Sequence, residues 1–342
     1  MASSLETTLT RAWLRRGPLA WALLPLALLF RLLSGLRRLL FRLGVKRAER
    51  LAVPVVVVGN IFIGGTGKTP LTIWLAEALH AAGLRPGVIS RGHGGENSAP
   101  RAVTPQSDPR EVGDEPLLIA ARAGCPVVVG RGRVEAGRAL LAAHPEVDVL
   151  IADDGLQHYA LGRDVEIVLF DGRGVGNGWL LPAGPLREPP SRRRDFTVVN
   201  ALELTPALAA AVGGSPYRMQ LSGEFAEPLN VGGVRMALSE LRGKRIVAAA
   251  GIGNPGRFFA MLKNSGLTVG ELPLPDHHDF LDRPFDAVDA DIILITEKDA
   301  VKCRQIDNLK DDPRLWVVPV TAQLDARLAE QIVEKCRGRS TA

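Results

Sequence analysis

The sequence predicts an α/β protein with a mainly parallel sheet in its larger domain, a smaller second α/β domain and an N-terminal helix. Short β-branched apolar runs alternate with stretches of helical apolar spacing along most of the 342 residues, a pattern typical of parallel strands joined by helices. Glycine-rich and aspartate-rich motifs follow several of these runs directly, and open parallel sheets bind ligands at the carboxyl ends of their strands. We expect domain bounds of 1–46 for the helix, 47–217 for the larger domain, 218–240 for a hinge and 241–342 for the smaller domain.

Composition indicates a globular protein from a reducing compartment. Hydrophobic residues make up 46% of the chain and charged residues 23%, and the length suffices for two domains with their own cores. Cys125, Cys303 and Cys336 are few, odd in number and far apart, which argues against a disulfide framework or a cysteine-rich zinc site.

Positive charge is concentrated at the N-terminus. The first 50 residues hold ten lysines and arginines against two glutamates, a surplus of eight, whereas the whole chain carries +5 and the remainder therefore −3. A basic arm on a slightly acidic body indicates contact with a local anionic surface. No later basic patch is interleaved with aromatic residues, so the pattern does not favour nucleic-acid binding.

Residues 17–43 predict a basic amphipathic helix that lies in a membrane interface. The uncharged, leucine-rich run at 17–30 has 14 residues, fewer than the ~20 that a spanning helix needs. On a helical wheel Arg31, Arg38 and Arg42 share one face opposite a leucine face, which would place these arginines on anionic lipid headgroups. A signal peptide fits less well, because no small-residue cleavage site closes the run. A helix docked on the protein itself and a single full span are the remaining alternatives.

The strongest functional signal is a strand, a glycine-rich turn and a helix over residues 53–82. A β-branched run predicts a buried strand at 53–58, and Gly-Gly-Thr-Gly-Lys-Thr follows before apolar residues with helical spacing. This order is that of a phosphate-binding loop, in which backbone N–H groups and the helix N-terminus converge on phosphate oxygens. Lys68 would reach the β- and γ-phosphates and the Thr69 hydroxyl would bind Mg²⁺, which predicts a P-loop NTPase-type domain.

The loop departs from the usual motif at one position. Phe62 stands where a leading glycine is usual, five residues before Gly67, and Gly64 and Gly65 crowd the loop instead. An ordinary strand-to-helix turn that needs glycines is the competing interpretation. The lysine and threonine that follow directly argue against it.

Acidic and histidine motifs mark three further positions. Residues 153–154 end a predicted strand, where P-loop proteins hold the carboxylate of the Mg²⁺ site, although a helix N-cap also explains an aspartate there. Asp-Glu-Pro at 114–116 opens a predicted helix, so N-capping and chemistry explain it equally well on pattern alone. His277 and His278 lie between two aspartates. A polar loop is a commoner explanation for them than a metal site, because two adjacent histidines seldom chelate one ion.

Two segments in the second half of the chain carry weaker signals. The stretch 172–195 is rich in proline and glycine, and so long a segment inside a compact domain is typical of a functional loop. A second α/β unit begins with a predicted strand at 245–250 and continues with Gly-Ile-Gly-Asn-Pro-Gly at 251–256. This Gly-x-Gly lacks the rest of a dinucleotide fingerprint and is weak evidence for a second nucleotide site.

Together these motifs resemble those of the tetraacyldisaccharide 4′-kinase family, the lipid A 4′-kinases. The matching segments run in order over nearly the whole chain and are 58–70, 90–95, 113–116, 153–158, 181–189, 251–255, 276–278 and 296–302. The family shares the departure at Phe62. His93 stands where the family usually has tyrosine.

The resemblance implies transfer of the γ-phosphoryl group of ATP, with Mg²⁺ as cofactor, to the 4′-hydroxyl of a tetraacylated glucosamine disaccharide 1-phosphate. It also implies an enzyme at the cytoplasmic face of the inner membrane of a Gram-negative-type bacterium. Its partners would be the acylated lipid and an anionic membrane surface, without nucleic acid and without an obligate protein partner.

The resemblance also assigns site residues. The catalytic residues it implies are Asp114 as the base paired with His277, and Lys68. The ATP-binding residues are Gly64, Gly65, Thr66, Gly67, Lys68, Thr69 and Pro70. The Mg²⁺ ligands are Thr69, Asp153 and Asp154. The contacts to substrate or phosphate are Asn60, Glu115, Arg187 and Glu188.

A membrane-bound switch protein that hydrolyses nucleotide is the alternative from another functional class. Such proteins often read guanine through Asn-Lys-x-Asp, whereas residues 296–299 read Thr-Glu-Lys-Asp and lack that spacing. A purely structural membrane protein would have no use for Lys68 and Thr69.

Overall fold

A computed structural model describes residues 12–92, 99–230 and 234–338. His93, with the rest of its motif after Gly92, lies outside the described residues. The segment 1–11 of the predicted N-terminal domain does so too.

The described segments form two sheets with helices packed around them. The strands are β1 (Val55–Asn60), β2 (Pro86–Ser90), β3 (Arg101–Val103), β4 (Val127–Val129), β5 (Val149–Asp153), β6 (Val165–Asp171), β7 (Phe196–Asn200), β8 (Tyr217–Ser222), β9 (Phe225–Pro228), β10 (Met236–Ala237), β11 (Ile246–Ala250), β12 (Val269–Pro273), β13 (Ile292–Thr296), β14 (Leu315–Val318) and β15 (Thr321–Gln323). The helices are α1 (Pro18–Ala22), α2 (Leu24–Arg42), α3 (Lys68–Ala81), α4 (Pro109–Val112), α5 (Asp114–Arg122), α6 (Arg133–Ala143), α7 (Pro206–Val212), α8 (Pro255–Asn264), α9 (Glu297–Cys303), α10 (Asp307–Lys310) and α11 (Ala326–Arg337). A 3₁₀ turn covers Leu238–Leu241.

The larger sheet has the strand order β15-β8-β7-β6-β1-β5-β2-β4-β3. Its central strand, β1, is buried along its whole length and pairs in parallel with β5 and β6. Among its described strands, antiparallel pairing occurs at the two edges, where β3 meets β4 and β15 meets β8. The prediction of a mainly parallel α/β sheet is confirmed, and the carboxyl ends of β1, β5 and β6 lie side by side.

The smaller sheet has the order β10-β9-β14-β13-β11-β12. Strands β11, β12, β13 and β14 are parallel, and β9 pairs antiparallel with β14. Apolar side chains on both faces, among them Phe258, Leu262, Phe280 and Phe285, form its cores. This sheet is therefore a second α/β unit, as the sequence indicates.

The end of the chain returns to the larger sheet, which differs from the expected domain of 241–342. Strand β15 pairs with β8, and Leu328, Ile332 and Cys336 of α11 belong to the core of the larger sheet. The amphipathic face of α11 finds its apolar partner on α3 rather than in the smaller sheet. The expected hinge also divides differently, because β8 belongs to the larger sheet while β9 and β10 belong to the smaller one.

The N-terminal helices lie against the larger domain. Ala20 and Ala27 are buried, and the Trp13 indole Nε1 donates a hydrogen bond to the Pro182 carbonyl at 2.9 Å. Arg38 Nη1 lies 3.4 Å from Glu188 Oε2, so the expectation that Arg38 meets lipid headgroups is wrong: a buried carboxylate binds its guanidinium.

The outer face of these helices carries exposed apolar side chains. They are Leu19, Trp21, Leu26, Leu28, Leu29, Leu32, Leu33, Leu36, Leu39 and Leu43. Among the described residues, no helix has both the length and the apolar character to cross a membrane.

Candidate active site

The turn after β1 has the backbone of a phosphate-binding loop. Gly64 and Gly67 have φ values of 94° and 98°, a region that glycine adopts without strain. A Cβ atom on Gly67 would also collide with the side chain of Asn200, whose amide donates a hydrogen bond to the Thr66 carbonyl at 2.9 Å. Helix α3 starts directly after Gly67 at Lys68, so its unpaired N–H groups face the turn.

Asn60 shapes this loop from inside. Its amide nitrogen donates to the carbonyls of Phe62 at 2.7 Å and Gly64 at 3.1 Å, and its Oδ1 accepts a hydrogen bond from Lys68 Nζ at 3.3 Å. Asn60 is fully buried. Its polar atoms are thus committed to the loop and to Lys68, so Asn60 acts on the phosphate site through the shape of the loop.

Phe62 explains how the loop forms without its usual leading glycine. Its side chain is buried in the core, and the guanidinium of Arg173 lies 4.2 Å from its ring centroid. Arg173 also pairs with Asp171 at 2.6 Å, at the carboxyl end of β6. The buried ring of Phe62 and the guanidinium stacked on it therefore fix the start of the turn, at the position where the usual motif has a glycine.

Asp153 ends β5 beside the loop, in register with Val58 of β1. Its carboxylate is buried and accepts hydrogen bonds from Thr72 Oγ1 at 3.2 Å and Ser90 Oγ at 3.1 Å. Burial, reinforced by the negative charge of Glu115, raises the pKa of Asp153 to about 6. The helix N-cap interpretation of this aspartate is not met, because Asp153 lies within β5.

Asp154 faces two cations across the loop. Lys68 Nζ lies 3.7 Å from Asp154 Oδ1 and Arg187 Nη1 lies 3.6 Å from Oδ2. Burial acts to raise the pKa of Asp154, but these cations together bring it below its usual value. No hydrogen bond from the described residues reaches the buried Oδ1. Such a carboxylate oxygen, with Asp153 and the half-buried Thr69 nearby in the fold, fits an oxygen-ligand site for Mg²⁺.

Asp114 and His277 meet between the two sheets. Asp114 Oδ2 and His277 Nδ1 are 3.0 Å apart although 163 residues separate them in the chain. Helix α5 has Gly113 at its N-cap position, so the capping interpretation of Asp114 is not met. Burial acts to raise the pKa of Asp114, but the hydrogen bond from His277 and two lysines hold it far below its usual range. The same hydrogen bond raises the pKa of His277.

His278 points elsewhere than its neighbour. Its Nε2 lies 3.3 Å from Asp282 Oδ2, and its Nδ1 accepts a hydrogen bond from the backbone N–H of Phe280 at 3.1 Å. His277 and His278 thus have different partners and do not converge on one ion. The structure selects His277 as the member of the pair that reaches Asp114.

Lys298 links the two domains beside this pair. Its Nζ lies 3.1 Å from Glu115 Oε1, 3.3 Å from Asp276 Oδ1 and 3.5 Å from His277 Nε2. The predicted contact residue Glu115 is therefore part of an interdomain ion cluster. Lys298 has no place among the expected site residues, although it lies in the matched segment 296–302.

The smaller domain also covers the phosphate loop. A Cβ atom on Gly253 would come within 2.7 Å of the Gly65 backbone nitrogen, so the loop at 251–256 rests on the turn. Arg257 donates a hydrogen bond to the Asn200 carbonyl at 2.9 Å and lies 3.7 Å from Asp171. Arg257 is not among the expected site residues, because no motif in the sequence connects it with Asp171 or Asn200.

Glu188 is buried and bound by side chains of the protein. Its side chain is 2% exposed and pairs with Arg38 at 3.4 Å and Arg192 at 2.8 Å, and it accepts a hydrogen bond from Gln157 at 3.0 Å. Both oxygens of Glu188 thus have partners within the protein, which differ from the expected contact with substrate or phosphate. Its neighbour Arg187 faces Asp154 instead.

We expect Glu188→Ala to lower the free energy of unfolding by about 3 kcal/mol, because it removes the buried carboxylate that binds both Arg38 and Arg192 and leaves the Arg192 guanidinium with Glu166 alone among the described carboxylates. Arg187→Ala is the matched neighbour and should change stability by less than about 1 kcal/mol, since its ion pair is half-exposed. Denaturant unfolding of both variants measures the difference. Equal stability losses would contradict this division of roles.

Comparison with known proteins gives consistent matches over the whole chain. A model of the tetraacyldisaccharide-1-P 4′-kinase family, LpxK, matches residues 19–337. A tetraacyldisaccharide 4′-kinase from Herminiimonas arsenicoxydans is 61% identical over 353 residues, covering 99% of this chain and 98% of the relative. One from Janthinobacterium sp. (strain Marseille) is 64% identical over 346 residues, covering 99% of both. The crystal structure of LpxK from Aquifex aeolicus in complex with ATP superposes with a TM-score of 0.76 at 29% identity, covering 93% of this chain and 99% of that one.

Proposed function

The chain belongs to the tetraacyldisaccharide-1-P 4′-kinase family, and we propose that the cleft between its two domains performs this reaction. It is an ATP-dependent kinase of lipid A biosynthesis, and its acceptor is the 4′-hydroxyl of an acylated disaccharide 1-phosphate. The observation that carries the assignment of the site is the 3.0 Å contact between Asp114 and His277 across the domains. Glu115, next to Asp114, is close enough to Asp153 to raise its pKa, which supports one continuous site from the phosphate loop to the pair.

The phosphate loop binds and orients the triphosphate of ATP. Backbone N–H groups of residues 64–69 surround the β- and γ-phosphates, and Lys68, held by Asn60 and Asp154, neutralises charge that develops on the transferring group. Thr69, Asp153 and Asp154 would hold Mg²⁺. A Mg²⁺ ion bound by these residues would offset the negative charge of the phosphates. Arg187, which contacts the other oxygen of Asp154, can stabilise the same negative charge on the transferring phosphoryl group.

The Asp114–His277 pair takes the proton of the 4′-hydroxyl. Asp114 keeps its negative charge under the influence of His277 and two lysines, and this charge raises the proton affinity of the imidazole. The pair therefore accepts one proton as a coupled unit. Phosphoryl transfer is loose, so positioning of the acceptor oxygen in line with the γ-phosphate counts for more than base strength.

The exposed leucine face of α2 is the membrane contact in this proposal, at the cytoplasmic face of the inner membrane. An acylated substrate stays in the bilayer, and a helix with one apolar face can lie in the interface without spanning it. Arg31 and Arg42 are exposed and available to anionic headgroups, whereas Arg38 anchors the helix to Glu188. One face of α2 then packs against the protein, and the opposite face contacts lipid.

We expect the double substitution Leu32→Gln and Leu36→Gln to weaken binding to anionic phospholipid vesicles at least about tenfold. Each leucine is more than half exposed in the structure, and burying such a side chain in lipid contributes about 1.5–3 kcal/mol. Leu202→Gln and Leu281→Gln, at exposed leucines outside α2, form the matched control. Vesicle co-sedimentation measures the effect, and equal binding by both double variants would remove α2 from the membrane contact.

The reaction itself is tested with two acceptors. Consumption of ATP by the purified chain should rise strongly on addition of the tetraacyl disaccharide 1-phosphate. The matched 4′-deoxy compound should leave it at its basal rate, because it binds with the same acyl chains but offers no hydroxyl. Equal stimulation by both compounds would refute transfer to the 4′-position.

A further inference from the structure

Lys302 lies behind the Asp114–His277 pair, on the second turn of α9. Its side chain is 13% exposed, and its Nζ lies 3.4 Å from Asp114 Oδ2. The ring of Phe280 lies beneath the ammonium, with its centroid 5.5 Å away. Within the described part of the chain, Lys302 Nζ has no hydrogen-bond partner.

This arrangement is costly unless the ammonium acts on Asp114. Burying an ammonium group without hydrogen bonds is unfavourable, and attraction to a nearby carboxylate offsets part of that cost. Among the described residues, Asp114 is the one carboxylate within 4 Å of Lys302 Nζ. Lys298, one turn earlier on the same helix, is shared between Glu115 and Asp276 and lies 3.9 Å from Asp114.

The charges around the pair are nearly balanced only when Lys302 is counted. The groups in contact are Asp114 and Glu115 from α5, Asp276 from the loop before His277, and Lys298 and Lys302 from α9. Asp299, buried on α9, acts on both lysines from farther away, and its Oδ2 accepts hydrogen bonds from Thr296 Oγ1 and the Gly251 N–H. With a neutral imidazole, three carboxylates face two ammonium groups. Without Lys302, three carboxylates would face one ammonium group, and the imidazole would hold a proton more tightly.

We propose that Lys302 is a positioning residue that tunes the proton affinity of the Asp114–His277 pair and fixes the carboxylate against the imidazole. This inference rests on the proposed role of the pair as the base. Lys302 does not touch the substrate and moves no proton itself. Its charge, 3.4 Å from Asp114, favours the carboxylate anion and so makes the pair ready to accept a proton at lower pH.

Loss of the Lys302 charge should move the pH dependence of the rate to higher pH. Activity requires the unprotonated pair, so the rate rises with pH through the pair's apparent pKa. Removing a positive charge raises that pKa, and the acidic limb of the rate profile should move to higher pH by about one unit. A variant that had lost only packing would lose activity by the same factor at every pH.

The experiment compares Lys302→Gln with Lys302→Arg and with the control Lys310→Gln. Lys310 is an exposed lysine of the same domain, paired with Asp307 at 2.6 Å. The pH dependence of kcat and, separately, the NMR titration of the His277 imidazole without ATP or acceptor are measured for each. Lys302→Gln should shift both midpoints upward by about one unit, Lys302→Arg should leave both within a few tenths of a unit of the parent chain's, and Lys310→Gln should match the parent chain.

The NMR titration separates this inference from the proposed function. An unchanged His277 midpoint in folded Lys302→Gln would overturn the inference, even if the kinase reaction is established. A shifted midpoint in a chain that transfers no phosphate would uphold the effect of Lys302 and refute the function instead. If Lys302→Gln does not fold, Lys302→Arg decides: a guanidinium beside Asp114 should keep the midpoint within a few tenths of a unit of the parent chain's, and a rise of about one unit would contradict the inference.

Discussion

Replacement of Lys68 by alanine is expected to lower turnover by about a thousandfold while the fold stays intact. Lys68 Nζ is held by Asn60 at 3.3 Å and by Asp154 at 3.7 Å, which aims one fixed positive charge at the phosphate loop. Loss of one preorganised group that stabilises transition-state charge costs on the order of 10²–10³ in kcat. A lysine that also orients the triphosphate should lie at the upper end of that range.

Lys263→Ala is the matched control, because Lys263 is an exposed lysine paired with Glu271 on the far side of the smaller domain. It should keep normal turnover. Steady-state kinetics with circular dichroism as a check on folding measures both variants. Near-normal turnover in a folded Lys68→Ala chain would contradict the assignment of residues 64–69 as a phosphate-binding loop.

Asp114→Asn and His277→Ala should each reduce kcat by about 10²–10⁴, with little change in ATP affinity, because a positioned base contributes that much. Asparagine is preferable to alanine at position 114, since it keeps the shape of a buried side chain that two lysines approach. The two residues touch at 3.0 Å and share one proton, so the double variant should be hardly worse than either single one.

His278→Ala is the control for the second substitution. His278 pairs with Asp282 and not with Asp114, so its loss should leave kcat within about threefold of the parent chain. Losses that multiply in the Asp114→Asn, His277→Ala double variant would show that the residues act independently. A larger defect in His278→Ala than in His277→Ala would show that the wrong histidine was paired.

The local parts of the site could be predicted from the sequence because neighbouring residues build them. Residues 58–70 contain the strand end, the positive-φ glycines and the helix start, so backbone chemistry alone predicts a phosphate loop there. The position of Asp153 beside the loop could also be predicted, because the carboxyl ends of parallel strands lie at one edge of the sheet. The alternation of strands and helices likewise predicted the larger sheet.

The parts that depend on distant contacts could not be predicted from pattern. Asp114 was equally compatible with an N-cap, and only resemblance to a family paired it with His277 in the other domain. Glu188 was expected at the substrate or phosphate from the resemblance, since a carboxylate in a motif looks the same in the sequence whether it faces a ligand or three side chains of the protein. The amphipathic pattern of α11 shows that one face is buried, but not which sheet covers it.

Isolated residues were missed for a related reason. Arg173 and Arg257 belong to no matched segment, and Lys302 ends the matched segment 296–302 without a role assigned to it. Each gains its role from a partner that the fold brings near. Lys302 lies four residues after Lys298, a spacing that would indicate one helix face, yet the carboxylate it meets belongs to another domain.

The most direct test of the central claim follows a labelled phosphate. The purified chain is incubated with ATP labelled at the γ-phosphate, Mg²⁺ and the tetraacyl disaccharide 1-phosphate, and the position of the label on the lipid is determined. Transfer to the 4′-hydroxyl predicts label on the 4′-oxygen, formed by the parent chain and nearly absent with Asp114→Asn. Release of the label as inorganic phosphate, with none on the lipid, would mean that the chain hydrolyses nucleotide without an acceptor and would contradict it.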